Sequence, residues 1–398
     1  MKRILGAFLL LFPYCVFGTI YDFSRLDNTH GLSNNQIESI FRDSRGFMWF
    51  GTNYGLNRYD GYRVKMYKAD ANDSTSLKYN AIPEIQEDFR GNLWIKGNPD
   101  YVVYNASKES FERNLQTVVQ DFGMHEVPYL VDIDKEKNFY FYVLDVGVFK
   151  YNVKDKQLQT FIQGEGTNAL SKEQIVALRS SGDSFWVLYR SGLLERYNET
   201  TSSVDFRSDR IQDFSQASSI PKNLFIDREG CPWVYPGKAD KGVFYYDFAR
   251  SGWIYFGADP KDFLLPWDRL LTTDFVRDVC QDDKGNIWIG TFYGGVSKFD
   301  GETYTNFTQD GTIAGVEAYN FYEDSQGNIW FTAEGYGVYQ YDGINFNQFT
   351  TENGLTSNVV QSIFEDNKGQ LWFGTWQGMC IFDGEKFVNA KDKEPWVN

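Results

Sequence analysis

The stretch Asp43-Ser-Arg-Gly46-Phe-Met-Trp49 decides the fold, because its pattern returns along the whole chain. The strict form, Asp-x-x-Gly-x-x-Trp, occurs six times and ends at Trp49, Trp94, Trp233, Trp288, Trp330 and Trp372. Two weaker copies fill the middle: Asp134/Lys137/Tyr140 and Ser180/Asp183/Trp186. The anchor aromatics of these copies are 42 to 55 residues apart. Such a period is typical of four-stranded units repeated around an axis, so the sequence predicts an all-β propeller.

Each copy divides into strands in the same way. In the first copy, Ile37 to Phe41 alternates as a strand, and Asp43 to Gly46 predicts a tight hairpin with glycine at positive φ. The second strand carries the tryptophan, the third ends in an aromatic residue followed by Asp or Asn, and a fourth completes the blade. We therefore predict eight blades of four antiparallel strands. Seven blades is the alternative, if one weak copy is not a blade or if an end copy belongs to a second ring.

The tryptophans of the repeat are predicted to be structural anchors. They stand at a fixed position in each copy, where neighbouring blades need a large side chain between their sheets. A series of sugar-stacking residues would not need this constant register. The seven anchors are Trp49, Trp94, Trp186, Trp233, Trp288, Trp330 and Trp372.

The N-terminus predicts export. Residues 1–18 have the form of a signal peptide, with a basic start at Lys2 and Arg3, an apolar stretch and small residues before Thr19. The propeller is then expected to span residues 19–398, in the periplasm or outside the cell. No later segment approaches the roughly 18 apolar residues of a membrane helix, so no span is expected after signal cleavage.

The start of the mature chain resembles the end of a blade. Residues 20–24 followed by Gly31 parallel residues 346–350 followed by Gly354. We expect this first segment to be a fourth strand that completes the last blade and closes the ring. Residues 384–390 are the alternative source of that strand.

Composition excludes several classes of function. The net charge of −15 argues against nucleic acid and against an anionic membrane surface. Cys231, Cys280 and Cys380 lie in different repeats without CxxC spacing, and Cys280 and Cys380, which fall inside strand-like runs, are expected to be small core residues. With His30 and His125 as the two histidines, no metal site and no Ser-His-Asp set can be assembled. We therefore expect no cofactor and no catalytic residues.

At this point the residues carry a family resemblance. The stretch from Gly31 to Gly61 resembles the two-component regulator propeller repeat, and residues 273–301 and 354–384 match as closely. The resemblance implies the periplasmic sensor region of a hybrid two-component histidine kinase of Bacteroidetes type, similar in role to glycan sensors. The chain shows no kinase histidine box, receiver pocket or membrane exit. It is then either a truncated receptor or a stand-alone propeller that acts through a partner.

The loops between second and third strands differ in every copy while the framework repeats, which is how function is grafted onto a scaffold. The candidate ligand-binding residues in these loops are Asn53, Tyr54, Tyr293, Tyr336, Trp376 and Gln377. Exposed aromatics beside polar groups suit sugar rings or a protein partner. Alternatively, these aromatics only cover the edges of the blades. The apolar insertion at residues 257–274 either packs over the propeller face or docks a partner.

The function favoured by the sequence is extracytoplasmic sensing of a ligand, most plausibly a carbohydrate. The candidate partners are an oligosaccharide, a second copy of the chain or a partner sensor kinase. A stand-alone protein-interaction scaffold is the alternative from another class. A propeller glycan lyase or hydrolase is the third.

Overall fold

Eight antiparallel β-sheets form this protein in its computed structural model. The structure describes residues 26–98, 100–164, 169–211, 221–236, 242–256 and 276–382. Each sheet is one blade, and its strands lie side by side in chain order from first to last. The predicted signal peptide (1–18), the strand at 20–24, the insertion at 257–274 and the alternative strand at 384–390 lie outside the described residues.

The first four blades each have four strands. Blade 1 contains β1 (Ile37–Arg42), β2 (Met48–Thr52), β3 (Gly55–Tyr59) and β4 (Val64–Tyr67). Blade 2 contains β5 (Glu84–Glu87), β6 (Leu93–Lys96), β7 (Tyr101–Asn105) and β8 (Ser110–Glu112). Blade 3 contains β9 (Leu130–Ile133), β10 (Phe139–Val143), β11 (Gly147–Asn152) and β12 (Gln157–Ile162). Blade 4 contains β13 (Ile175–Ser181), β14 (Ser184–Tyr189), β15 (Leu194–Asn198) and β16 (Ser203–Ser208).

The last four blades repeat this plan. Blade 5 contains β17 (Pro221–Ile226), β18 (Pro232–Pro236), β19 (Val243–Asp247) and β20 (Gly252–Phe256). Blade 6 contains β21 (Val276–Gln281), β22 (Ile287–Thr291), β23 (Val296–Phe299) and β24 (Tyr304–Asn306). Blade 7 contains β25 (Ala318–Glu323), β26 (Ile329–Ala333), β27 (Gly337–Tyr341) and β28 (Phe346–Phe349). Blade 8 contains β29 (Val360–Glu365), β30 (Leu371–Thr375) and β31 (Gly378–Phe382) within the described residues.

The first strand of each blade lies nearest the axis of the ring. Strand β13 packs between β9 and β17, and β25 packs between β21 and β29. Strand β1 packs between β5 and β29, so the last blade meets the first. The expected eight-bladed propeller is confirmed.

The hairpin of the repeat is held by its aspartate. Asp43 Oδ1 accepts the amide protons of Arg45 and Phe47 at 3.0 and 2.9 Å, and Gly46 has φ of 94°. In blade 3, Lys137 takes the glycine position at φ of 65°. The expected match of Asp183 to this glycine in blade 4 is wrong, because a tighter turn places Gly182 at the positive φ, 62°.

The anchor tryptophans are buried between blades, each with at most 1% of its surface exposed. Six of them also donate their indole N–H to the aspartate of their own hairpin, a bond the sequence analysis missed. The six distances, in chain order from Trp49, are 2.9, 3.4, 2.9, 2.9, 2.7 and 2.8 Å. One aspartate thus fixes both the turn and the core residue that follows it.

Hairpin turns also bind the neighbouring blade. Ser44 donates from its amide and its hydroxyl to Glu87 of blade 2, both at 2.8 Å. Ser325 makes the same pair of bonds to Glu365 of blade 8, both at 2.6 Å. We call this end of the ring, which carries the hairpins between first and second strands, the lower face.

Three short helical segments were not predicted. Helix α1 (Leu115–Gln120) follows blade 2 and packs Leu115 and Val119 into the core cluster around Trp94. Short 3-10 helices at Asn28–His30 and Thr351–Asn353 each end at a glycine with φ near 100°.

Leu26 lies against β31, at the edge of blade 8. Leu26 and Met379 exchange backbone hydrogen bonds of 2.9 and 2.8 Å, antiparallel to β31. Phe349 stands opposite Val338 in blade 7 at the equivalent register. Leu26 therefore takes the fourth-strand position of blade 8, whereas the strand predicted just before it stays a prediction.

Candidate functional site: an aromatic arc on the upper face

The upper face carries the loops between second and third strands and the connections from each fourth strand to the next blade. Among the described residues, thirteen large apolar side chains are exposed, and eight of these lie in upper-face loops. These eight are Tyr54, Val127, Tyr129, Leu144, Tyr293, Val316, Tyr336 and Trp376. Exposed apolar groups gathered on one side of a protein mark an interaction surface.

Four of these residues form what we call the arc. Tyr293, Tyr336, Trp376 and Tyr54 come from the equivalent loops of blades 6, 7, 8 and 1, which are consecutive around the ring. Their exposed fractions are 57, 48, 50 and 61%. Gln377 is exposed beside Trp376, and the half-buried Asn53 precedes Tyr54. The structure therefore brings all six sequence-predicted residues to the upper face of four adjoining blades, where their binding role stays a prediction.

A buried threonine shapes the loops of the arc. The hydroxyl of Thr52 accepts the Tyr54 amide proton at 3.0 Å and donates to the Gly55 carbonyl at 2.8 Å. Thr375 does the same for Gln377 and Gly378, at 3.0 and 2.7 Å. Because the threonine satisfies the backbone of the turn, the side chains of Tyr54, Trp376 and Gln377 are left to face solvent. The recurring Gly-Thr at the end of the second strand is the sequence signal for this device.

Below the arc, toward the axis, lies a polar layer made of Glu38, Arg277, Glu317, Glu334 and Gln361 together with Tyr319. The Arg277 guanidinium lies 3.3 Å from a Glu317 carboxylate oxygen and 4.6 Å from the Tyr319 ring centre. The Tyr319 hydroxyl donates to Glu334 and accepts from the Gln361 amide at 3.0 Å. In blade 1, the Asn53 amide donates to Glu38 at 2.8 Å. Sequence analysis missed this layer, although it found Asn53.

β-bulges in the first strands aim these side chains. Glu38, Arg277 and Gln361 are each the extra residue where the register with the second strand shifts by one. A bulge bends its strand and redirects the side chain of the extra residue. In blade 7 the unpaired stretch is longer, and Asn320 adopts φ of 57° just after Tyr319. The signal of these bulges in the sequence is a spacing of three between apolar residues, as in Val276 and Val279, where a regular strand would have a spacing of two.

The charge state of the layer follows from burial. Burial raises the pKa of Glu317, while the nearby Arg277 guanidinium opposes that rise. Burial, with the Glu334 carboxylate beside it, raises the pKa of Tyr319 far above neutrality. Tyr319 is therefore a permanent hydrogen-bond donor, and the layer holds three carboxyl groups against the single guanidinium of Arg277.

Other candidate chemistry lies away from the arc. Burial raises the pKa of the Cys280 and Cys380 thiols to about 12, so little reactive thiolate exists at neutral pH. A cavity of about 210 Å³ lies at the lower side of blade 2 next to α1, where Arg90 pairs with Asp121 at 2.7 Å.

In the part of the chain that the structure describes, no three His, Cys, Asp or Glu side chains are grouped to hold a metal ion. Nor do those residues form a helix with the length and apolar character of a membrane span.

Comparison with known proteins identifies the family of the repeat. Residues 31–54, 270–293 and 354–377 match the family model of the two component regulator propeller. The chain therefore carries repeats of this family, which confirms the resemblance seen in the sequence.

The similar proteins are either much longer than this chain or only distantly similar to it in sequence. Histidine kinase P4 of Formosa agariphila is 25% identical over 204 residues, which are 51% of this chain and 14% of that protein. A structure described as the extracellular domain of a one-component system from B. thetaiotaomicron has 17% identity and a TM-score of 0.39. That match covers 93% of this chain and 54% of the other. The computationally designed Ika8 protein, at 9% identity, has a TM-score of 0.56 over 92% of this chain and its own full length, a likeness of fold alone.

Proposed function

We propose that this chain is the ligand-sensing propeller of a two-component regulator, and that the arc binds an oligosaccharide without cleaving it. The observation that carries the proposal is the series of four exposed aromatics on consecutive blades, set above a hydrogen-bonded polar layer. The regulator-type repeats and the likeness to a histidine kinase support the sensor role. The binding face then lies outside the cytoplasm, and a histidine kinase on the same or a partner polypeptide carries the signal onward.

Sugar chemistry fits this arrangement on two counts. Each sugar ring has an apolar face of C–H groups that packs on an aromatic side chain such as Tyr336 or Trp376. Its hydroxyl groups need donors and acceptors at the edge, and carboxylate and amide groups supply them. Repetition of the aromatic position across four blades provides several such places along one curve, as a linear oligosaccharide requires.

Blade 3 supports a second candidate, a surface for docking protein. Val127, Tyr129, Leu144 and Ile162 are all exposed at the upper end of this blade or of its connections, with exposed fractions of 42 to 67%. Three of these four side chains are aliphatic, and exposed apolar groups gathered in one place mark a protein contact. The chain would then act as an interaction scaffold, alone or paired with a second copy.

A thermal-shift screen against a broad oligosaccharide panel tests the proposed function on the chain without its predicted signal. A ligand present at 100 times its dissociation constant adds roughly 2.7 kcal/mol to the free energy of unfolding. Tyr336→Ala and Trp376→Ala are expected to abolish the shift. Tyr62→Ala and Ile344→Ala remove apolar groups that are even more exposed, from the lower face, and should leave the shift intact.

Three results would contradict the proposal. A panel without any shift would favour the docking scaffold, which Leu144→Glu combined with a measurement of oligomeric state would then examine. A shift that survives both arc substitutions would place the ligand elsewhere. Recovery of a shortened glycan would make the protein an enzyme.

A further inference from the structure

We infer that the arc selects uncharged oligosaccharides and discriminates against those that carry carboxylate or sulfate groups. This inference rests on the proposed function and adds the class of ligand. It follows from which charges in the polar layer are already matched and which are left to meet a ligand.

The single guanidinium of the layer is already paired with a carboxylate. Arg277 lies between two rings, 4.6 Å from the centre of Tyr319 and 5.7 Å from that of Phe292. Its guanidinium also pairs with Glu317 at 3.3 Å. An acidic sugar that replaced Glu317 on this guanidinium would leave a half-buried carboxylate without its partner.

The negative charges, in contrast, keep capacity for a ligand. Glu38 has Asn53 as its hydrogen-bond partner and Glu334 has Tyr319, through one carboxylate oxygen each. An ionised carboxylate accepts about four hydrogen bonds in all, so both groups retain acceptor sites. Sugar hydroxyls are donors of the right kind, and a carboxylate can take two neighbouring hydroxyls at once. A sulfate group, or the carboxylate group of a uronate, offers only acceptors and a like charge at the same place.

Long-range electrostatics act in the same direction. The chain carries a net charge of −15, so a polyanion is repelled before it reaches the arc. Salt screens this repulsion beyond about 8 Å at physiological ionic strength, whereas repulsion from contacting carboxylates is screened much less. Contact selectivity should therefore persist at high salt.

Matched pairs of glycans test the inference. Neutral galacto-oligosaccharides are compared with sulfated ones of the same linkage and length, and oligomannosides with oligomannuronates, by calorimetric titration. We expect a neutral member to bind with the same affinity at about 50 mM and about 500 mM NaCl. Its acidic counterpart should bind at least about 10-fold more weakly, and the gap should narrow but remain at high salt.

Substitutions in the layer separate its contribution from the overall charge. Glu334→Gln and Glu38→Gln keep acceptor groups of similar size but remove charge, so the acidic-to-neutral affinity ratio should rise several-fold. Glu302→Gln removes the same charge from an exposed loop of the lower face and should leave that ratio unchanged. Melting temperatures of the three variants establish that each is folded.

The outcomes distinguish this inference from the proposed function. Equal or tighter binding of the acidic member overturns the selectivity and leaves oligosaccharide sensing in place. An unchanged ratio in both Glu→Gln variants of the layer also overturns it. If no glycan of either kind binds, the proposed function fails and the inference fails with it.

Discussion

The carboxylate of Asp278 in blade 6 accepts a hydrogen bond from the backbone amide of Phe321 in blade 7, with 3.0 Å between Oδ2 and the nitrogen. Phe321 belongs to the bulge in which Asn320 has φ of 57°. Positive φ is unfavourable for a residue other than glycine and persists where the surroundings enforce it. Asp278 is thus a positioning residue that holds the strand from which Tyr319 reaches the polar layer.

Replacement of Asp278 separates its hydrogen bond from its charge. Asp278→Ala leaves the Phe321 amide without this acceptor, and we expect a loss of about 1–3 kcal/mol in the free energy of unfolding. Asp278→Asn keeps an acceptor oxygen and should lose less. Denaturant unfolding measures both variants, and equal losses would show that the bond to Phe321 does not support the bulge.

The pH dependence of stability reports the same group. Burial raises the pKa of Asp278 above its usual range, although hydrogen bonds from Phe321 and neighbouring amides oppose the rise. The folded state therefore holds this proton more tightly than the unfolded chain, whose pKa is about 3.9. The contribution of Asp278 to stability is fully present below that value and is lost as pH rises through the folded pKa.

This sign gives a measurable difference. The free energy of unfolding of the wild type minus that of Asp278→Asn should be largest near pH 4 and should decline toward neutral pH, which is tracked by denaturant unfolding across that range. A difference that grows with pH would mean that the hydrogen bonds dominate over burial.

Truncation of a buried and of an exposed tryptophan should change the stability by very different amounts. Trp330 is buried and donates to Asp324 at 2.7 Å, so Trp330→Ala should cost about 3–5 kcal/mol. Trp330→Phe keeps most of the ring but loses the indole N–H, and it should fall between the wild type and alanine. Trp376→Ala should change stability by no more than about 0.5 kcal/mol. Similar losses at both positions would remove the distinction between anchor and arc.

Ring closure through Leu26 is tested by deletion. Without residues 19–26 the backbone pair with Met379 disappears, and we expect a lower melting temperature. Leu26→Pro removes the donated hydrogen bond and the packing of the leucine side chain but keeps the rest of the segment, so it should lower the melting temperature by a smaller amount. An unchanged melt after deletion would indicate that the segment following Phe382 supplies the fourth strand of blade 8.

The fold could be predicted because the sequence repeats. The site could be predicted only in part, because the positions of some of its residues do not follow from the repeat. Asp43, Gly46 and Trp49 recur because every blade needs the same turn and the same core residue, so one copy explains the others. Tyr293, Tyr336 and Trp376 could be predicted as exposed loop residues because they vary within that frame. Arg277, Glu317 and Glu334 could not, because they come from the bulge of β21, the connection before β25 and the loop after β26, and only the folded ring brings these three places together.

The buried threonines that hold the loops of the arc in blades 1 and 8 have an evolutionary consequence. Asn53-Tyr54 and Trp376-Gln377 are two-residue loops held between the same clamping threonine and the same following glycine. Either dipeptide can therefore be exchanged for another without disturbing the strands that carry it. A lineage can acquire a new specificity by changing a few codons per blade, while the packing that keeps the ring closed is inherited intact.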